Sequence, residues 1–206
     1  MGRGGGRPAI ARGRSGVCVS QPDVLIIGAG LAGASAAWHL SRDRSVVVVE
    51  QGRAPGGEAT ADNAGMVRCL GEDPVERALA LRTHRWLAQP GPGFDATNLS
   101  RVTGAVLSLA VDPHHLHDAV AHVRAAGVNV FALRDPGDVA PAMAGGRYAT
   151  SWYQPDARVA DPAALLAAFL AGARAAGAEL RCGVQVLGLR VEGGRVVGVD
   201  TSEGPL

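Results

Sequence analysis

The sequence predicts an α/β fold built on a Rossmann-like βαβ unit with a parallel sheet, and three observations carry that expectation. Asp23–Ile27 (DVLII) is a short apolar run that ends at glycine. Leu31–Leu40 (LAGASAAWHL) has helical character, with small residues for the side that faces a sheet. Ser45–Glu50 (SVVVVE) places four consecutive valines before an acid. Continuous apolar runs without alternation belong to strands buried on both faces, which is the condition of a parallel sheet. Strand, helix and strand in this order form a right-handed parallel βαβ unit.

The remaining elements follow in order. Gln51–Arg68 is a loop rich in Gly, Ala, Thr and Asn. Asp73–Ala88 reads as a helix with Pro74 near its first position and an apolar stripe at Val75, Leu79 and Trp86. The segment QPGPG at Gln89–Gly93 breaks the chain. Val102–Ala110 contains a strand, Asp112 is placed as the N-cap of a helix through Pro113–Ala126, and Val128–Leu133 reads as a strand. Pro136–Met143 is a turn or short helix. Asp161-Pro162 is a strong helix start, and Gly177 closes the helix Ala163–Ala176. Glu179–Arg181, Gln185–Val191 and Arg195–Asp200 read as strands, the last two joined by a Gly193-Gly194 turn.

Composition narrows the function. The chain has 206 residues, 47% hydrophobic and 19% charged, with a formal net charge of +1. That balance gives neither a basic field for nucleic acid nor a strongly acidic one. No apolar stretch approaches the ~20 residues of a membrane helix; the longest, Ala163–Ala173, lies between Asp161 and Arg174. Cys18, Cys69 and Cys182 are widely spaced and form no metal motif, so they read as reduced thiols of a cytoplasmic protein. Residues 1–22 carry Arg3, Arg7, Arg12 and Arg14 among glycines, with no acid, and read as a disordered basic tail.

The functional signal sits between the first two strands. Gly28-Ala29-Gly30-Leu31-Ala32-Gly33 is GxGxxG. Gly28 permits the tight turn, Gly30 lets a pyrophosphate approach the backbone, and Gly33 lets helix and strand pack closely. The helix N-terminus then meets the phosphates. Glu50 ends the next strand, where the motif needs an acid for ribose hydroxyls, with Gln51 beside it. A carboxylate there disfavours the 2′-phosphate of NADP, although Arg53 lies nearby. The long small-residue segment Gly56–Met66 suits backbone contact along an extended cofactor, which leans the choice toward FAD over NAD.

Three blocks, DVLIIGAGLAGASAAWHL, VVVVEQGRAPGGEATADNAGM and PDARVADPAALLAAFLAGARAAGAEL, resemble the FAD-dependent amine and amino-acid oxidoreductases, the D-amino-acid oxidase, glycine oxidase and sarcosine oxidase group. The resemblance runs from Asp23 to the C-terminus. It implies that Gly28, Gly30 and Gly33 hold the pyrophosphate and that Glu50 meets the adenosine ribose, with Ala29, Leu31, Ala32 and Gln51 among the cofactor-binding residues. It implies that Thr60, Asn63, Ala64, Gly65 and Met66 pass the pyrophosphate and flavin ring, and that Val186 meets the adenine. It further implies an FAD-binding domain begun by 23–100, part of an α+β substrate domain at 101–150, and a return to the first domain at 151–206. Family members are usually much longer, so the C-terminal part of the fold is expected to be missing here. No catalytic residue is assigned, and no metal is expected.

The implied reaction is oxidation of the C–N bond of a small-molecule amino acid or amine by hydride transfer to flavin. The missing half of such an enzyme is expected from the native chain or from a second chain. Three alternatives stand beside it: a truncated or split-gene FAD-binding fragment without activity of its own; a flavin hydroxylase; and an NAD-linked dehydrogenase. Several residues have blander readings. His114, His115 and His117 read as a solvated helix start rather than metal ligands. His39 reads as a helix-face residue, and Cys69 as a buried inert thiol. Trp152, Tyr153 and Gln154 fall near the boundary between the two domains that the resemblance implies.

Overall fold

The computed structural model describes residues 21–71, 73–94 and 99–206. The basic tail expected at 1–22 falls almost wholly outside the described residues, as does Cys18. The expected βαβ unit forms as β1 (Val24–Ile27), α1 (Leu31–Leu40) and β2 (Val46–Glu50). β1 and β2 are parallel in the register Val24↔Val46 through Ile27↔Val49, and β2 pairs in parallel with β9 (Glu179–Cys182) on its other side. The strand order is therefore β1-β2-β9.

The four valines show why a parallel strand reads as a continuous apolar run. Val46, Val47, Val48 and Val49 are each 1% exposed. Val46 and Val48 pack with Ala37 of α1 and with Ala173 of the helix that precedes β9. Val47 and Val49 face the opposite way and pack with Val184 and Leu206. Alternate side chains leave opposite faces of a strand, and here both faces are covered.

The covering helix on one face is α4 (Pro162–Ala175), which lies against α1 through Ala34, Leu166 and Leu170. Its start is chemically explicit. Asp161 Oδ1 accepts the N–H of Ala164 at 2.9 Å, and Pro162 fills the first helical position. Its end is Gly177, at φ +98°. Asp161→Ala is expected to cost about 1 kcal/mol, read as a lower urea midpoint with an unchanged m-value. On the other face lies an antiparallel sheet, β10 (Val186–Glu192), β11 (Arg195–Thr201) and β12 (Gly204–Pro205). The β10–β11 turn uses Gly193 and Gly194 at φ +55° and +77°, the pair of positive angles a two-residue hairpin needs.

The middle of the chain forms two further antiparallel sheets. β3 (Met66–Val67), β8 (Arg158–Ala160) and β4 (Ser100–Val102) make one. β5 (Ala105–Leu109), β7 (Thr150–Gln154) and β6 (Phe131–Ala132) make the other. Helices α2 (Pro74–Ala88) and α3 (His114–Ala125) pack with the second sheet through Leu81, Leu116, Val120, Val123 and Trp152.

Several sequence expectations change here. Val75 and Leu79 of α2 are exposed, and the buried face is Leu81, His84 and Leu87. Trp86 is half-buried, stacked 5.8 Å from Phe169 and edge-on to Phe94. Asp112 does not cap α3. Pro113 occupies the cap position without a side-chain bond, and Asp112 Oδ1 instead meets His117 Nε2 at 2.8 Å. The strand expected over Val128–Leu133 shrinks to Phe131–Ala132, because Val128 and Val130 turn into the core instead of pairing. Pro136–Met143, expected as a turn or short helix, does form two short 3₁₀ turns. Among the described residues, no helix is long and apolar enough to cross a membrane.

Beneath the second sheet lies a small polar cluster. Cys69 is fully buried, and Gln154 Nε2 donates to its sulfur at 3.8 Å. Burial pushes the Cys69 thiol up, against the opposing Gln154 contact. His84 is buried too, with Nε2 3.8 Å from Asp156 Oδ2. Burial pushes the His84 imidazole below its ordinary range; Asp156 opposes this, while Arg158 and Arg85 add to it. The folded protein thus holds this histidine neutral where the unfolded chain, with an ordinary pKa of about 6.5, takes a proton. Stability is expected to be unaffected by this group above that pH and to fall as pH drops below it. Urea midpoints at pH 7.5 and 5.5 check this, and His84→Gln is expected to lessen the acid-side loss.

Candidate functional site

The glycine motif lies at the end of β1 that faces the end of β2. Gly28 turns the chain at φ +95°, and its N–H donates to the Val49 carbonyl at 2.7 Å. Gly33 sits one turn into α1, directly over this point. A Cβ on Gly33 would stand 2.0 Å from the Gly28 carbonyl oxygen, so helix and turn approach as closely as glycine allows. α1 begins with the Ala34 N–H donating to the Gly30 carbonyl. The helix leaves its first N–H groups without intrahelical partners, and that of Leu31 donates to Thr60 Oγ1 at 3.0 Å.

Glu50 turns toward this corner rather than away from it. Its Oε2 accepts the Ala29 N–H at 2.8 Å, and its Oε1 accepts the Gly52 N–H at 2.7 Å. One carboxylate thus ties the glycine turn to the loop that follows β2. Two cavities open on either side. One, of about 340 Å³, is bounded by Gly30, Leu31 and Ala32 and by the loop residues Gly56, Thr60 and Asn63. The other, of about 290 Å³, is bounded by Ile27, Gly28, Gln51, Val184 and Val186. Gly30, Glu50 and Glu58 line both.

The structure therefore brings together Gly28, Gly30, Leu31, Ala32, Glu50, Gln51, Thr60, Asn63 and Val186, from β1, α1, β2, the long loop and β10. Ala29 and Gly33 stand behind the cavity walls; Ala29 is fully buried and contributes its N–H to Glu50. Ala64, Gly65 and Met66 lie further along and line neither cavity. They are positioned by a turn in which Asn63 Oδ1 accepts the Gly65 N–H at 2.6 Å. Gly65, at φ +70°, is pressed against the Ala160 carbonyl and accepts the Ala160 N–H at 2.7 Å. Met66 follows with its side chain 57% exposed. Sequence reasoning missed Val184 and Glu58. Val184 lies just outside the predicted strands, and Glu58 lies in the Gly56–Met66 segment without a role assigned to it.

The Trp152–Gln154 segment ends β7. Trp152 lies in the core, with the Arg124 guanidinium 5.4 Å from its ring, and Gln154 faces Cys69.

The arrangement suits a nucleotide with a diphosphate. A helix start and a glycine turn without side chains flank a corner, and two cavities that share Gly30, Glu50 and Glu58 border it. Comparison with known proteins places the chain in a family. The profile of the family described as FAD dependent oxidoreductase matches residues 23–205. A D-amino acid dehydrogenase from Granulibacter bethesdensis is 37% identical over 73 residues, 34% of this chain and 18% of that protein. L-proline dehydrogenase from P. horikoshii superimposes with a TM-score of 0.75 at 22% identity, covering 90% of this chain and 50% of the other. Glycine oxidase from Bacillus cereus gives 0.64 at 24% identity, covering 90% and 53%. The chain spans about half the length of the solved relatives it matches.

Proposed function

Because the chain belongs to the FAD-dependent oxidoreductase family, whose cofactor is FAD, we propose that it serves the oxidation of the C–N bond of an amino acid or amine. The observation that carries this is the corner at Gly28–Gly33, with Glu50 turned into it and a cavity on each side. The relatives bear on the substrate class, since a D-amino acid dehydrogenase, an L-proline dehydrogenase and a glycine oxidase are all named for amino acids.

In this reading the N–H groups at the start of α1 hold the diphosphate, with Gly28 and Gly30 giving it room. Glu50 and Gln51 face the adenosine ribose, and Val186 lies against the adenine. Thr60 Oγ1 takes the Leu31 N–H, which leaves its own hydroxyl proton to donate into the cavity. Asn63 shapes the turn that delivers Ala64, Gly65 and Met66 to the flavin end. When bound, the flavin supplies the acceptor for a hydride from the substrate carbon. Residues 23–100 and 151–206 then form the cofactor domain, and 101–150 belongs to the substrate side.

A second reading rests on the half-length match to the solved relatives. In it the chain holds FAD, and a second polypeptide supplies the groups that grip the substrate. Anaerobic titration of the FAD-loaded protein with a panel of D- and L-amino acids and secondary amines separates the two. Bleaching of the flavin absorbance by any of them supports an active oxidoreductase. FAD retained but bleached by none supports the second reading. Bleaching by NAD(P)H alone, without an amine, counts against both and favours a hydroxylase.

A further inference from the structure

Three residues line both cavities, and two of them have a stated task. Gly30 opens the backbone to a diphosphate, and Glu50 ties the turn to the loop. The third, Glu58, has none. It sits in the loop between β2 and β3, where its carbonyl accepts the Ala61 N–H at 2.8 Å, so its own backbone is fixed by a turn. Glu50 has both carboxylate oxygens engaged by backbone N–H groups. The Glu58 carboxylate makes no hydrogen bond or ion pair among the described residues. A lone carboxylate therefore borders the junction of the two cavities, beside the positive end of α1 that favours an anion.

We propose that Glu58 sets how tightly this chain holds its dinucleotide cofactor, by repelling the diphosphate that the α1 start attracts. The inference rests on the FAD reading of the cleft. The charge on the diphosphate and the charge on Glu58 share one mouth, and an exposed pair of like charges separated by several ångströms repels weakly but measurably in water. Such repulsion is screened by salt, since the Debye length falls from about 10 Å at 0.1 M to a few ångströms near 1 M. FAD retention by this chain is accordingly salt-dependent in an unusual sense: the repulsive part weakens as salt rises. Riboflavin has no diphosphate, so its binding is indifferent to Glu58.

The test is FAD affinity by equilibrium dialysis of the full chain, as wild type, Glu58→Gln and Glu58→Lys, at low and high sodium chloride, with riboflavin in parallel. Glu58 is exposed and its side chain has no partner to lose, so both variants are expected to fold. Neutralising the charge is expected to tighten FAD roughly threefold at low salt and reversing it roughly tenfold, with both gains shrinking toward unity at high salt. Riboflavin affinity is expected to stay constant. FAD uptake with equal affinity in all three proteins overturns this inference and leaves the FAD reading standing. Weaker binding by Glu58→Gln overturns it too, because Glu58 would then be a hydrogen-bond acceptor for the cofactor. Failure of all three proteins to take up FAD overturns the reading of the cleft, and the inference with it.

Discussion

Replacing Gly33 with valine is expected to abolish FAD retention and to cost about 3 kcal/mol of stability. The reason is geometric. The hydrogen that valine would replace points at the Gly28 carbonyl, and a Cβ there would sit 2.0 Å from that oxygen, with the Ile26 side chain 3.2 Å away on the same side. No rotamer relieves a Cβ clash with backbone. Either α1 lifts from β1, exposing Ala34 and Ala37, which are fully buried against the sheet and α4, or the turn at Gly28 opens. In both cases the N–H groups at the helix start lose their bearing on the corner. Thermal unfolding and FAD dialysis on Gly33→Val and Gly33→Ala measure the two consequences separately. Alanine carries the same Cβ, so it is expected to lose affinity nearly as severely. An affinity unchanged in either variant would contradict the placement of the diphosphate at this turn.

Glu50→Ala is the second large effect. Glu50 accepts two backbone hydrogen bonds from opposite sides of the corner, one from a fully buried residue. Hydrogen bonds to an ionised acceptor contribute about 1.5–3 kcal/mol each, and a buried N–H left unmade costs its desolvation. Partial solvent access at Gly52 reduces the sum, so a loss of about 2–3 kcal/mol is expected. FAD affinity is expected to fall by more than the stability loss alone explains, because in the proposed reading Glu50 accepts from the ribose as well as holding the scaffold. Glu50→Gln keeps one carbonyl acceptor and is expected to lie between wild type and alanine on both measures. Equal affinity in all three proteins would remove Glu50 from the cofactor site.

The parts of the fold that the sequence made legible are those where one residue type answers one physical demand. A strand buried on both faces needs apolar residues at every position, and Val46–Val49 supply them. A helix start needs an oxygen acceptor and tolerates proline, and Asp161-Pro162 supplies both. The GxGxxG corner was readable because Gly28 is required by φ and Gly33 by close approach.

What was illegible is where tertiary packing outweighs local pattern. In α2 the apolar residues Val75 and Leu79 face outward, while the buried face includes a histidine held neutral by its surroundings. Hydrophobic periodicity does not see a neutral histidine as core. The short antiparallel strands β4, β7 and β8 pair with partners far along the chain, Arg101↔Val159 and Leu107↔Trp152 among them. Their local sequences carry no turn or alternation that announces such pairing. Asp112 looks like an N-cap, but a histidine five residues on competes for its carboxylate. In the site, the resemblance placed Thr60 beside the pyrophosphate, but the bond that ties the loop to α1, from the Leu31 N–H to Thr60 Oγ1, links residues 29 apart and has no local signature.

A crystal structure of the protein loaded with FAD examines the central assignment most directly. The diphosphate is expected against the backbone from Gly28 to Ala32, with a ribose hydroxyl in hydrogen-bond reach of Glu50 and the adenine side of the molecule beside Val184 and Val186. A diphosphate bound elsewhere on the chain, or a Glu50 side chain swung out of the corner with the ribose distant from it, would contradict the account.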